Sequence, residues 1–491
     1  MSAATPISTS ERQTSSWDIR NAPRNYISLV VFQMASAVFS FAAVWIITRY
    51  LGSEGYGGIV AVIAASQVAQ IFVNWTGVAV VRFGVDEFVE TAKIARTFWV
   101  RFFVLVVNLA LVLSLSQFWF APLSVWLKLT PGSFWLVVAH FVVTAFWIHI
   151  QMSLQGAKIL RTQGFLQMLE RVLIFTGILL LLVSHRLEFT GIILCYIAAP
   201  AAMVLVGVFK LRTLIFSRFS LDRQFVKKMV LYSLPLLPFS LIGYFSGSYV
   251  DAIFISTFLS TRDLGVYSVA TQMNGIAIQF PTLVNALLIP FFVTLDKEGA
   301  GAKLNGYFTS ALPNLTLAWG MICTLAAIAG YFLISRIFGA EFSGAAAPFW
   351  ILLTSSVMAI PVLCGYAALT HARSVTYIAA ITSALSAIAN IGLNYLLIPR
   401  FGMAGCAWAT VFAYFISGVG FAILLRIKTD MPVSWVFLAT LPNLCATLTF
   451  SLTDNPGIAL AVGCGLFIVV LAIKWRSVGD CIDIMRRILR T

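Results

Sequence analysis

Acidic residues are scarce in this chain. Its 491 residues hold 18 Asp and Glu against 32 Lys and Arg, and charged residues of both signs make up only 10%. Soluble domains usually carry about 25%. Histidine occurs four times, and no two of the seven cysteines form a CxxC pair. There is no P-loop, no HExxH and no GxSxG, so the phosphate-cradling loop, zinc helix and nucleophile elbow that those motifs build are missing. No long polar stretch could fold as a separate soluble domain. These absences exclude an enzyme with a large extramembrane catalytic domain, and ATP as a direct energy source through any recognisable motif. No catalytic constellation, metal centre or cofactor is expected.

Apolar residues are what the chain has. They make up 60% of it, and the mean hydropathy is +0.94. One water-soluble core could not hide so much apolar surface, so lipid must be the solvent for most of the chain. A helix needs roughly 20 apolar residues to span a bilayer. Fourteen such segments are present, near 27–48, 58–80, 98–120, 133–155, 166–184, 189–209, 229–258, 264–293, 307–335, 347–370, 374–398, 403–425, 432–452 and 456–474. The runs are continuous, whereas barrel strands alternate and are about half as long. The expected fold class is an all-α polytopic membrane protein of about 14 transmembrane helices, with twelve as the open alternative.

The basic residues are spread over short loops, which is how a membrane protein sets its orientation; nucleic acid is not an expected partner. With the N-terminus inside, 25 Lys and Arg fall on the inner side and 6 on the outer, and Arg171 lies within a span. This bias predicts an even number of spans with both termini cytoplasmic. Residues 1–26 are polar and Ser/Thr-rich and read as a disordered tail, followed by a signal anchor. Six of the cysteines, all but Cys481, sit in apolar runs and read as packing residues.

The expected domains are a bundle at 27–209, a basic amphipathic linker at 210–228, a second bundle at 229–425, two extra helices at 432–474 and a basic tail at 475–491. A weak repeat supports two halves. Leu51-Gly-Ser-Glu-Gly-Tyr-Gly57 is matched at an offset of 208 by Leu259-Ser-Thr-Arg-Asp-Leu-Gly265, and Phe189-Thr-Gly191 pairs faintly with Met403-Ala-Gly405. Copies that run in the same direction imply two bundles related by an axis along the membrane normal, a plan common among transporters.

Four stretches carry a resemblance. Ile46-Ile-Thr-Arg-Tyr-Leu-Gly-Ser-Glu-Gly-Tyr-Gly-Gly58, Val78-Ala-Val-Val-Arg-Phe83, Asp263-Leu-Gly-Val-Tyr-Ser-Val-Ala270 and Leu397-Ile-Pro-Arg-Phe-Gly-Met-Ala-Gly405 resemble, in order and spacing, turns and helix ends of the bacterial oligosaccharide flippases. Those are the polysaccharide-export branch of the multidrug/oligosaccharidyl-lipid/polysaccharide exporter superfamily. The resemblance implies two pseudo-symmetric six-helix bundles in a V plus two C-terminal helices, alternating access, and an inner-membrane location. It also implies a polyprenyl-diphosphate-linked oligosaccharide as cargo, destined for exopolysaccharide, capsule or lipopolysaccharide O-antigen. Membrane lipids, a glycan polymerase and export machinery are the partners it implies. A cation-coupled drug exporter, a peptidoglycan-precursor flippase and a membrane glycan polymerase or ligase are the alternatives.

Such a path needs cations for phosphate and amides or hydroxyls for sugar. Arg49 at an outer helix end and Arg171 within a span are the candidate cations; Arg171 reads either as a cavity residue or as a snorkelling one. Arg24, Arg82 and Arg101 read either as headgroup charges or as cavity cations. Gln67, Gln70 and Asn74 share one helix face by their spacing, as do Gln272 and Gln279, and Asn390 and Asn394; each set reads as sugar contacts or as interhelical glue. Asp251 is the one acid deep in a span, either an ion-coupling site for a proton or Na⁺ or a structural partner. His140 and His149 read as proton relays or as hydrogen-bonded residues between helices. Pro200, Pro235, Pro238, Pro281, Pro313, Pro361 and Pro442 mark kinks, with Pro235 to Gly247 the expected bending region.

Overall fold

A computed structural model describes residues 9–217, 222–234, 248–429, 431–432 and 434–475. Parts of the expected tails and linker (1–8, 218–221, 476–491) and the bending region from Pro235 to Gly247 lie outside them. The described residues form helices and no strand, as lipid demands: only a helix satisfies its own backbone there without a closed barrel.

The stretch Thr9–Asn74 is two helices merged across Gly52 (φ 69°). They are α1 (9–51) and α2 (53–74). There follow α3 (Gly77–Thr91), α4 (Ala95–Ser114), α5 (Ser116–Trp126), α6 (Ser133–Gly156), α7 (Leu160–Val183), α8 (Phe189–Ile215), α9 (Arg223–Ser233), α10 (Ser248–Phe258) and α11 (Thr261–Lys297). Next come α12 (Gly301–Phe338) and α13 (Ala340–Ala372). The stretch Tyr377–Thr429 again merges two helices, across Gly402 (φ 59°), here α14 (377–401) and α15 (403–429). The last two are α16 (Val436–Thr453) and α17 (Pro456–Ile473). Among the described residues, ten helical stretches are long and apolar enough to cross a membrane. Two of them turn back at a glycine in the left-handed region, which favours Gly. With α10 and α11 added, the layout carries a helix at each of the fourteen apolar segments.

One expected span is broken. The apolar run 58–80 ends as α2 at Asn74, and α3 restarts at Gly77 with Thr76 as a non-helical cap. Hydropathy does not register such a break, because Trp75, Thr76 and Gly77 leave the run apolar enough to span.

Packing divides the chain into two compact units. One comprises Met1–Ala43, Phe72–Leu115 and Val138–Pro235; the other comprises Val44–Ile71, Ser116–Val137 and Leu236–Thr491. In the first unit, Phe98, Trp147, Ile150 and Leu166 share a buried core. The amphipathic α9 buries Phe225 and Met229 and leaves Lys227 and Lys228 exposed. Phe225 packs edge-on against Phe83, 5.6 Å between ring centres, beneath the Arg96 guanidinium at 4.2 Å.

In the second unit, α16 and α17 are fastened to α12 and α13. Trp350 stacks on Phe450 at 4.2 Å, Thr354 and Thr447 share a 2.7 Å hydrogen bond, and Asn443 donates to Thr324 at 3.0 Å. Three prolines act together nearby. A π-turn at Tyr307–Ala311 precedes Pro313, and another at Val362–Tyr366 follows Pro361. The Tyr307 hydroxyl donates to the Cys364 carbonyl at 2.6 Å, and the Cys364 thiol to the Pro281 carbonyl at 3.7 Å. The Thr309 carbonyl, which Pro313 leaves without its helical donor, accepts from Trp435 Nε1 at 2.9 Å, so that group is paired from within the protein.

The two copies of the repeat meet face to face in this unit. A Cβ on Gly57 would fall inside the shell of the Thr261 carbonyl oxygen, and one on Gly265 inside that of Ser53. Residues 53 and 57 correspond to 261 and 265 at the repeat offset, so the crossing is reciprocal, with backbone lying directly on backbone. Arg49 and Ser53 hold the same corner. Arg49 donates to the carbonyls of Arg336 and Ile337 at the end of α12, and Ser53 donates to Glu341 at 2.8 Å. Gly57→Ala and Gly265→Ala are each expected to destabilise the protein by about 1–3 kcal/mol or more, through forced separation of the helices. Gly275→Ala, on α11 with nothing within 4 Å of its Cβ, is expected to be neutral or stabilising by up to about 1 kcal/mol. The melting midpoints of the three purified variants check both signs.

Candidate functional site

Asp251 stands on the first turn of α10 and is 6% exposed. Asn394 on α14, 143 residues along the chain, donates Nδ2 to Asp251 Oδ1 at 3.0 Å and to Asn390 Oδ1 at 3.1 Å. The Tyr267 hydroxyl of α11 donates to Asp251 Oδ2 at 3.2 Å, and Cys406 and Thr410 on α15 lie beside the carboxylate, with the Thr410 hydroxyl donating to the Cys406 carbonyl at 3.3 Å. Four helices thus converge on one carboxylate. Asn394 Oδ1 is itself buried and has no hydrogen-bond partner among the described residues. Carboxylate, amide and hydroxyl oxygens gathered in this way are the ligand type of hard cations. Among the described residues there is no cluster of three or more His, Cys, Asp or Glu.

Sequence spacing anticipated Asp251, Asn390 and Asn394, but as separate features; the structure joins them. Tyr267, Cys406 and Thr410 were missed. Cys406 and Thr410 lie one turn apart, which put them on one face, but nothing linear points that face at α10.

The other amides divide. Gln70 is buried and Gln67 half-buried on α2; Gln272 and Gln279 are half-buried on α11. Gln279 Oε1 and the nearby Trp319 Nε1 have no partner among the described residues. The Trp319 ring is stacked 4.3 Å over Phe280, which holds it rigidly. Asn74, the last residue of α2, accepts a 2.9 Å hydrogen bond from Arg101.

The cations depart further from expectation. Arg49 is exposed and clasps the carbonyl end of α12. Arg171 is half-buried on α7 and lies within coulombic reach of His140 and Tyr196; its neighbour Glu170 accepts from Trp147 Nε1 at 2.8 Å. Arg82 is on the surface as expected, in an exposed ion pair with Asp86 at 2.7 Å. Arg101 is not a headgroup charge: it is 0% exposed. Its helix begins at Ala95, three residues earlier than the apolar run indicates, so the side chain sits nearly two turns in and faces the bundle. His149 is 2% exposed, and neither ring nitrogen has a hydrogen-bond partner among the described residues. It stacks against Phe98 at 4.6 Å instead of bonding between helices.

Removing Asn394 strips a buried carboxylate of a donor. Asn394→Ala is expected to lower stability by about 1–3 kcal/mol, read as a fall in melting midpoint that Asp251→Asn in the same chain partly reverses.

Comparison with known proteins gives the family and the fold. A family model described as polysaccharide biosynthesis protein matches residues 22–296. The protein named "Probable low-salt glycan biosynthesis flippase Agl15" of Haloferax volcanii is 24% identical over 248 residues, 49% of this chain and 50% of that protein. The chain therefore spans about half the length of this curated relative. Among solved structures, "Lipid II flippase MurJ, inward closed conformation" superposes with a TM-score of 0.66 at 14% identity, covering 91% of this chain and 99% of that one. A multidrug resistance MATE family transporter of the MOP superfamily gives 0.61 at 14% identity over 83% and 100%. The MATE transporter VcmN of Vibrio cholerae, in its bent form, gives 0.52 at 13% over 84% and 99%. These likenesses establish a shared fold. Because the family model covers more than half of the sequence, the chain belongs to the polysaccharide biosynthesis protein family, the oligosaccharide-flippase branch of the multidrug/oligosaccharidyl-lipid/polysaccharide exporter superfamily.

Proposed function

We propose that the protein turns a polyprenyl-diphosphate-linked oligosaccharide from the inner to the outer leaflet of the cytoplasmic membrane by alternating access, for exopolysaccharide, O-antigen or capsule synthesis. The observation that carries this reading is the family match over residues 22–296. The printed name of the Haloferax volcanii relative and the fold shared with a lipid II flippase support it. The glycan head must cross a low-dielectric region where each unmatched polar group is costly. Gln67, Gln70, Gln272 and Gln279 are the amides that this reading gives to sugar, since Asn390 and Asn394 serve Asp251 and Asn74 serves Arg101.

Asp251 is the coupling site in this reading. Its charge, held among Asn390, Asn394, Tyr267 and Thr410, is balanced by a proton or Na⁺, and binding of that cation favours one set of helix positions over another. With both termini cytoplasmic, the Gly57–Gly265 crossing and the Arg49 clasp lie at the outer end. There they close the path to the outside and must part for release.

Deletion of the gene is expected to abolish the surface polymer and to trap the complete lipid-linked unit on the cytoplasmic side. Unchanged polymer with no trapped unit, in a strain without a redundant flippase, rejects the reading and moves it to small-molecule export. In proteoliposomes, Asp251→Asn is expected to remain folded and to slow gradient-driven flipping by at least about tenfold. Imposed proton and Na⁺ gradients tell the two ions apart. Undiminished driven flipping by this variant sinks the coupling role alone.

A further inference from the structure

The buried Arg101 lies in a place built almost wholly of donors. Its Nη2 donates to Asn74 Oδ1, while Nε and Nη1 have no hydrogen-bond partner among the described residues. Nor does it form an ion pair among them. A guanidinium held at 0% exposure without a counter-charge is costly in a membrane interior. Two buried hydroxyls share the condition. Thr97, one turn before Arg101 on α4, and Thr76 are each 0% exposed and lack a partner for Oγ1. His149, within coulombic reach of Arg101, adds an unpaired ring N–H at 2% exposure. The acid that meets the start of α4, Glu87, is occupied: its carboxylate accepts from the backbone N–H groups of Arg96 and Thr97 at 2.9 and 2.8 Å.

A second observation comes from the backbone. The second span breaks at Trp75–Thr76, and α3, 15 residues long, begins at Gly77 with no side-chain cap. The first N–H groups of a helix have no partner within it, and they carry its positive end. The break lies beside Asn74, the residue that Arg101 touches. Arg101 thus touches the residue two positions before the N-cap Thr76, close to the inner end of the apolar run 58–80, and helix N-termini recognise anionic groups.

The geometry points to a phosphoryl-anion site at this break, formed by Arg101, Thr76, Thr97 and the first turn of α3, with His149 at its edge. A guanidinium, two hydroxyls and a helix N-terminus match an oxyanion that presents several acceptor oxygens. The group is either the diphosphate of a lipid-linked cargo or free inorganic phosphate. Only the first source rests on the flippase reading. Because the donors are sealed in this conformation, entry requires α2 and α3 to turn relative to each other at Trp75–Thr76, where no helical hydrogen bond ties them.

The test uses the full-length protein in nanodiscs, with inorganic diphosphate, farnesyl diphosphate and sodium chloride at matched ionic strength, read as melting midpoint. Diphosphate is expected to raise the midpoint, and chloride to leave it unchanged. Arg101→Met is expected to lose the response while melting no lower, since it removes a buried charge. Thr97→Val is expected to bind about tenfold more weakly, as for one lost hydrogen bond to a charged group. If Arg101→Met does not fold, Arg101→Lys keeps the charge without the planar fork and is expected to lose most of the response. A stronger response to farnesyl diphosphate assigns the group to a lipid-linked molecule, and an equal one to the free anion. No response to either diphosphate, an equal response to chloride, or a response kept by Arg101→Met overturns the site. Such a result leaves the flippase reading standing, because that reading is decided by the trapped lipid-linked unit.

Discussion

In hydrocarbon an unpaired polar group has no water to fall back on, and this constraint organises the molecule. It makes every described span a helix, because a helix pairs its own backbone. It also limits where helices can break. The π-turns at Tyr307–Ala311 and Val362–Tyr366 are tied together by the Tyr307–Cys364 hydrogen bond, and the Thr309 carbonyl that Pro313 leaves without a helical donor is paired with Trp435. The break at Trp75–Thr76 is not closed in this way by a side-chain cap, and it lies beside the most deeply buried cation described.

The same constraint gives the buried charges their character. Asp251 is an acceptor met by donors from α11 and α14, with one amide oxygen, Asn394 Oδ1, left over. It is nearly satisfied, so a small positive ion or a proton is enough to change its balance. Arg101 is the reverse case, a donor among donors with a single acceptor in Asn74. The two lie in different compact units, one suited to a cation and the other to an anion.

Much of the layout was legible in sequence. A described helix lies at each of the fourteen apolar runs, although the run 58–80 is split between two helices and the run 229–258 is only partly described, and the repeat at Leu51–Gly57 and Leu259–Gly265 marked the corner where Gly57 and Gly265 meet. The break at Thr76 was not legible, because a hydropathy window averages over two or three residues. Arg101 was misplaced for a related reason. A few residues' error at the start of a helix moves a side chain from headgroup depth to the bundle interior.

The sequence by itself determined that this chain lives in lipid as a set of apolar helices, and it singled out Asp251, Asn390 and Asn394 as polar groups within apolar runs. These follow from composition and from local periodicity, which need no knowledge of neighbours. Only the tertiary structure decided which of those groups meet. The joining of Asp251 to Asn394 across 143 residues, the meeting of Gly57 with Gly265 and the burial of Arg101 beside Asn74 depend on how helices pack side by side. In a membrane that packing rests on small-residue contacts and shared hydrogen bonds rather than on hydrophobic pattern, because the lipid is as apolar as the helices themselves.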